Sequence, residues 1–276
     1  ALAADCAARK VPVSVELPVY GDETRVLGIH SQPFALDDGT TGAVMALGDL
    51  SAIKRLERVR KDFVANVSHE LRTPVTLIKG FAETLEDGGA SVEETARFVA
   101  IIRRHADRMA SIIDDLLTLA RLEAADRRRG AMDGLEPMLL AEVMAGAVDS
   151  ASLTLEARKA SVSVDCPPDI RILAHPGLFE QALVNLLDNA AKYGPEGGVV
   201  EMKAVVDRDE RFVSVSVLDR GPGVPEKDRP RLFERFYRVD RARSRELGGT
   251  GLGLAIVRHI ALAHGGDAAL RAREGG

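Results

Sequence analysis

Tryptophan is absent from the 276 residues, and aromatic side chains make up only 4% of them. Any core must therefore come from Leu, Ile, Val and Ala within the 46% of residues that are hydrophobic. Cysteine is scarce as well. Cys6 and Cys166 lie far apart and share no CxxC or Cys/His spacing, which argues against a disulfide framework or zinc ribbon and fits a reducing compartment. No apolar run approaches the ~18 residues of a membrane span, and no signal-peptide pattern is present. An excess of positive charge is missing too. With 37 basic against 42 acidic side chains the net charge is −5, so no nucleic-acid footprint is expected. The Arg127-Arg128-Arg129 run reads as a solvated linker. The chain opens on Ala rather than Met and so reads as a fragment, with any membrane anchor lying upstream of it.

What is present is a sequence that changes period twice. Val11, Val13, Val15 and Leu17 alternate with polar residues or Pro, and 25–34 and 42–49 are further strand candidates, with a turn signal at Asp37-Asp38-Gly39. This predicts a small antiparallel sheet over residues 11–50. At Ser51, a candidate N-cap, a helical period takes over and runs to about Asp87, where Gly88-Gly89 ends it. A second helix is predicted from Val92 to Ala125. Its apolar set Phe98, Ile102, His105, Met109, Ile112, Leu116 and Leu119 steps alternately by four and three, a heptad seam. Two such helices joined by Gly-Gly make an antiparallel hairpin. Ile101, Ile113 and Leu117 leave a second apolar face, which a homodimeric four-helix bundle would bury. Residues 127–134 read as a linker. From 135 onward the pattern is α+β, with helices at 139–157, 177–191 and 252–263 and strands at 160–164, 199–206, 211–218 and 267–273.

Three stretches carry chemistry. GGTGLGLAIV (248–257) is a Gly-rich turn opening a helix, suited to phosphate. It fits neither common nucleotide fingerprint, because Leu254 stands where the dinucleotide motif needs Gly and the P-loop needs Lys. VLDRGPGV (217–224) ends an apolar strand in one carboxylate, Asp219, followed by two glycines; it is either an exposed turn or a partner for a ligand amine. LVNLLDNAAKY (183–193) places Asn185, Asn189 and Lys192 on one helix face, either a plain surface face or a site for Mg2+-phosphate. A fourth stretch, FVANVSHELRTP (63–74), puts His, Glu, Thr and Pro inside a helix. A HExxH zinc site fails there because position 73 is Thr73.

In this order and spacing the three stretches resemble the N, G1 and G2 boxes of the GHKL (Bergerat) ATP-binding α/β sandwich. RLFERFYR (231–238) resembles the F box, and FVANVSHELRTP the H box, of sensor histidine kinases of two-component systems, PhoR-like in organisation. Residues 1–50 resemble the C-terminal part of a PAS sensor domain, 51–126 the dimerisation and phosphotransfer hairpin, and 135–276 the ATP-binding catalytic domain. The resemblance implies that His69 accepts the γ-phosphoryl group of ATP, that Glu70 hydrogen-bonds and orients it, and that Thr73 positions a water for dephosphorylating a response regulator. It implies Mg2+ on Asn189, phosphate contacts from Asn185 and Lys192, and Tyr193 near the nucleotide. Asp219 would bind the adenine amine, with Gly221 and Gly223 letting the base approach. Gly249, Thr250, Gly251, Leu252 and Gly253 would hinge a lid spanning about 225–247, from which Arg238 reaches the γ-phosphate. The partners implied are a second copy and a receiver domain. The location implied is the cytoplasmic side of a protein anchored upstream, if it is anchored at all.

Two positions depart from the family pattern. Arg220 replaces the usual Asn and is expected to point outward, and the family's C-terminal hairpin is represented by a single strand candidate. The alternatives are a scaffold that signals by dimer conformation without catalysis, and a GHKL ATPase without kinase activity. Pro74 lacks the N–H that the Glu70 carbonyl would take in an unbroken helix, so a bend point just after His69 is expected.

Overall fold

A computed structural model of the chain describes residues 2–20, 25–35, 37, 40–127, 134–209, 211–240 and 249–273. They divide into two compact units, Ala1–Ser68 and His69–Gly276. Parts of the expected turn at 37–39, of the linker and of the lid (241–247), as well as Gly248, lie outside the described residues.

The first unit contains a short helix α1 (Leu2–Arg9), not foreseen from the sequence, and strands β1 (Val13–Val19), β2 (Arg25–Ala35) and β3 (Thr41–Asp49). The strands form an antiparallel sheet in the order β1-β2-β3, with Val15 opposite Ile29 and Ile29 opposite Leu47. Alternation thus places Val13, Val15, Leu27, Ile29, Met45 and Leu47 on one face, and α1 packs on β2 and β3. The long helix α2 (Ser51–Glu86) begins in this unit. Ser51 does not cap it as expected. Its hydroxyl accepts from the Val26 N–H at 2.9 Å, while the Asp49 carboxylate takes the Ser51 N–H at 2.8 Å. A sheet N–H left without a strand partner has claimed the side chain that would otherwise serve the helix.

In the second unit the rest of α2 and α3 (Val92–Arg127) form the hairpin. Gly88 turns the chain with φ +71°, a conformation that costs glycine nothing. Beyond it, Ser91 and Glu94 build a capping box: Ser91 N–H donates to Glu94 and Glu94 N–H to Ser91 Oγ. The Phe81 and Phe98 rings meet across the helices at 5.2 Å. Seam residues of α3 are buried or half-buried; of the second apolar face, Ile113 and Leu117 are exposed and Ile101 is half-buried. α2 passes Pro74 as one helix, with the proline ring buried.

The ATPase-like part layers helices α4 (Leu140–Ser150), α5 (Ser152–Ala157), α6 (Pro176–Tyr193) and α7 (Gly253–Ala263) over sheet strands. β4 (Glu136–Leu139) pairs antiparallel with β6 (Arg171–Ala174). β5 (Ser161–Asp165) runs parallel to β7 (Val199–Val206), which is antiparallel to β8 (Val213–Leu218). The two four-residue strands were too short to show a period, and the helix expected over 139–157 is interrupted at Ala151. The strand expected at 267–273 is corrected. Among the described residues that segment joins no ladder; its ends are tied down by Asp267 on Arg258 at 3.4 Å and by the Arg273 guanidinium on Glu201 at 2.6 Å. β propensity alone does not hold a strand without partner N–H and C=O groups. Leu140, Met144, Leu183, Leu187 and Met202 fill the core between helices and sheet.

Leu187 is fully buried in that core. Leu187→Ala should cost about 2–5 kcal/mol, read as a shift in the denaturant midpoint of the ATPase-like part with an unchanged slope.

Candidate functional site

The site is built where α6, the end of β8 and the turn before α7 converge. α6 starts at Pro176, whose missing N–H costs nothing at the first helical position, and His175 caps it. Its apolar positions Leu183, Leu187 and Ala190 face the core. That leaves Asn185, Asn189 and Lys192 half-buried on another face. The Asn185 Nδ2 is buried and has no hydrogen-bond partner among the described residues. An unsatisfied buried amide costs about 1–3 kcal/mol, so this donor points to a ligand. Lys192 is held by Asp188, one turn earlier, at 3.1 Å.

Two glycines let this helix approach its neighbours. A Cβ on Gly221 would stand 2.8 Å from both the Asp219 carboxylate and the Tyr193 carbonyl, so the N and G1 stretches meet at a point that has no room for a side chain. Asp219, just beyond β8, accepts the Gly221 N–H at 2.7 Å with one oxygen, and this turn fixes its carboxylate. Gly223 follows with φ +69°, and Arg220 points outward as expected. On the other side a Cβ on Gly253 would lie 3.2 Å from Asn185 Oδ1, which brings the N and G2 stretches together.

The F stretch joins them through the backbone. Phe236 N–H donates to the Gly251 carbonyl at 2.8 Å. Gly251 has φ +75°, and a Cβ there would sit 2.9 Å from Phe236 Cα. Phe236 itself is buried at φ +61°, an uncommon conformation for a bulky residue and one held by this contact. Tyr237 donates its hydroxyl to Asp228 at 2.6 Å, which raises the phenol's pKa, and its ring lies under Arg231.

The H stretch closes the arrangement. Glu70 Oε2 accepts from Arg108 of α3 at 3.1 Å and from Arg238 at 3.0 Å. Arg238 is only 5% exposed and also donates to the Thr250 carbonyl at 2.8 Å. Glu70 is therefore engaged by two cations rather than by His69. Successive helical residues project ~100° apart, so Glu70 faces the lid while His69 is exposed. The Thr73 hydroxyl donates to the His69 carbonyl at 3.3 Å.

Comparison with known proteins fits this geometry. Residues 59–125 match the His Kinase A (phospho-acceptor) domain, and residues 174–276 match the histidine kinase-, DNA gyrase B- and HSP90-like ATPase family. The chain is 38% identical over 241 residues to the sensor-like histidine kinase SenX3 of Mycolicibacterium smegmatis, covering 87% of this chain and 61% of that protein. It is 39% identical over 227 residues to the phosphate regulon sensor protein PhoR of Pseudomonas aeruginosa, covering 82% and 50%. The structure of histidine kinase ThkA in complex with the response regulator protein TrrA shares the fold, with TM-score 0.57 and 22% identity over 96% of this chain and 76% of that one. The chain belongs to the sensor histidine kinases. It spans about half to three-fifths of the length of these two curated relatives. Among the described residues no helix is long and apolar enough to cross a membrane.

A part of this histidine kinase that sequence reasoning missed lies on α3. Thr250 Oγ1 donates to Asp115 at 2.9 Å and accepts the Leu252 N–H; Arg108 also reaches the Gly249 carbonyl; Arg235 of the F stretch pairs with Glu123. α3 packs against α7, and Ile112, Leu119 and Leu122 are buried. A signal was present. Arg108, Ile112, Asp115, Leu119 and Leu122 step by four, three, four and three, a stripe in which two charges interrupt apolar residues. Charges placed there ask for partners on a neighbouring element.

Burial pushes the Asp115 carboxyl above its ordinary range, opposed by the Thr250 hydrogen bond. A carboxyl raised on docking carries that penalty at neutral pH and loses it as pH falls through its ordinary range. This one contribution therefore opposes the contact between α3 and the G2 turn least in acid. Asp115→Asn keeps an acceptor for Thr250 without the charge. It should increase amide-exchange protection of residues 249–253 relative to wild type at pH 7, with the difference vanishing near pH 4.

Proposed function

We propose that this chain is an ATP-dependent protein-histidine kinase that phosphorylates itself on His69 and passes the phosphoryl group to an Asp of a response-regulator receiver domain. What supports the reading is the close approach of Gly221 to Asp219 and Tyr193 and of Gly253 to Asn185, both along α6, with the Asn185 Nδ2 unsatisfied among the described residues. Beside them the lid residue Arg238 is already in contact with Glu70, next to an exposed His69. Phosphoryl transfer asks a protein for positioning and charge neutralisation more than covalent chemistry, and this inventory supplies both.

In this reading the free oxygen of Asp219 takes the adenine amine. Asn185 and Asn189 would face the phosphates, and the Asn189 side-chain carbonyl would be the protein's ligand to Mg2+. That hard ion commonly takes one or two protein oxygens and completes its shell with phosphate and water, and it would neutralise phosphate charge here. Lys192 would exchange Asp188 for phosphate, and Arg238 would leave Glu70 for the γ-phosphate. The N–P bond to the His69 imidazole forms as the bond to the ADP oxygen breaks, with Glu70 compensating the imidazolium charge. Thr73 would position the water that hydrolyses the aspartyl phosphate of the response regulator, releasing inorganic phosphate. Residues 51–126 form the dimeric hairpin, for which the exposed Ile113 and Leu117 supply an apolar face. Residues 135–276 form the catalytic domain, 127–134 the linker, and 1–50 the C-terminal part of a PAS-like sensor.

Incubation with γ-labelled ATP and Mg2+ tests the proposal. Wild type should acquire acid-labile, alkali-stable label, His69→Ala none, and Asn189→Ala a small fraction at any ATP concentration. ATP hydrolysis without protein label would replace the reading by an ATPase, and binding without either reaction by a scaffold.

A further inference from the structure

The imidazole of His264 sits just past the end of α7, far along the chain from every residue given a role above. Its Nδ1 lies 2.7 Å from the Ile260 carbonyl, which can only accept. Its Nε2 lies 3.0 Å from the backbone nitrogen of His175, which can only donate. The two contacts together demand one form of the ring: hydrogen on Nδ1, a lone pair on Nε2. The ring is also packed edge-on against Phe179, at 6.0 Å and 71°, one turn into α6. His175 uses its own Nδ1 to cap Leu178 N–H at 3.4 Å, so its backbone N–H is left for His264.

Position in the fold gives this contact its consequence. α6 and α7 pack against each other, with the start of α6 at the end of α7. From His175 to Asn185 is about 15 Å of helix, and from His264 back to Gly253 about 16 Å. The two paths therefore match, and they meet again where a Cβ added to Gly253 would lie 3.2 Å from Asn185 Oδ1. A helix pair pinned at one end by a directional bond has its axial register set at the other. We infer that His264 is a positioning residue for nucleotide binding. Through the His175 N–H it sets the axial register of α7 on α6, and so the distance between Asn185 and Asn189 on one side and the Gly251–Gly253 turn on the other.

This inference rests on the proposed ATP site, and substitution can separate the two nitrogens. A Gln side chain places its amide oxygen near the position of Nε2 and keeps the acceptor for His175. An Asn side chain reaches only the position of Nδ1 and keeps the Ile260 contact alone. Equilibrium binding of a fluorescent ATP analogue to the full chain, with Mg2+ and alongside a thermal melt, reads the effect. His264→Asn should weaken binding about fivefold, the worth of one lost hydrogen bond. Its autophosphorylation rate at saturating ATP should stay within about twofold of wild type, as expected when register, not chemistry, is disturbed. His264→Gln should bind within about twofold of wild type. Wild-type affinity in the Asn variant, an equal loss in both variants, or a fall in the saturated rate without a change in affinity would each overturn the inference. Failure of the wild type to bind the analogue would instead overturn the reading of the site itself.

Discussion

One oxygen of Glu70 takes hydrogen bonds from two guanidinium groups, and three segments meet on that atom. α2 supplies the carboxylate, α3 supplies Arg108, and the F stretch supplies Arg238. Both arginines are largely shielded from water, so the attraction is screened far less than between surface charges. Removing either partner would leave a charge with reduced solvation, the costly case for ion pairs. The group beside the expected phosphoacceptor is thus also the anchor that holds the F stretch against the hairpin.

Close backbone approach does the complementary work inside the ATP-binding part. Gly221, Gly251 and Gly253 each stand where an added Cβ would press on a neighbouring backbone, carboxylate or amide. Three stretches with no apolar side chains to spare at these points are packed through the absence of side chains. The contacts are directional as well as close. Phe236 donates to Gly251, Asp219 accepts from Gly221, and Thr250 links α3 to the turn before α7. Lys192 and Arg238 are each held by a carboxylate, Asp188 and Glu70.

Much of this was legible in the order of residues. Alternation of Val13, Val15 and Leu17 specified a strand because side chains alternate faces, and the four-three stepping from Phe98 to Leu119 specified a helix for the same kind of reason. Gly88 marked a turn because only glycine takes its φ without cost. β4 and β6 escaped notice because four residues hold too little period to detect. The strand expected at 267–273 failed because strand formation depends on a partner ladder that no local pattern encodes. Ser51 was the right residue type for a cap, yet a sheet N–H from Val26 captured its hydroxyl.

By itself, then, the sequence determined the kinds of element, the amide face of α6, the glycines of the G1 and G2 turns, and the family to which they belong. Each of these follows from properties that a residue carries with it: volume, permitted φ, or the spacing of side chains along one helix. Only the tertiary structure decided which charges meet. Glu70 with Arg238 is a contact across 168 positions, and Thr250 with Asp115 one across 135. His264 became an acceptor for the capping residue of a helix, 89 positions earlier. Such pairings depend on which surfaces the packing of apolar faces brings together, and the spacing of residues along the chain does not record that.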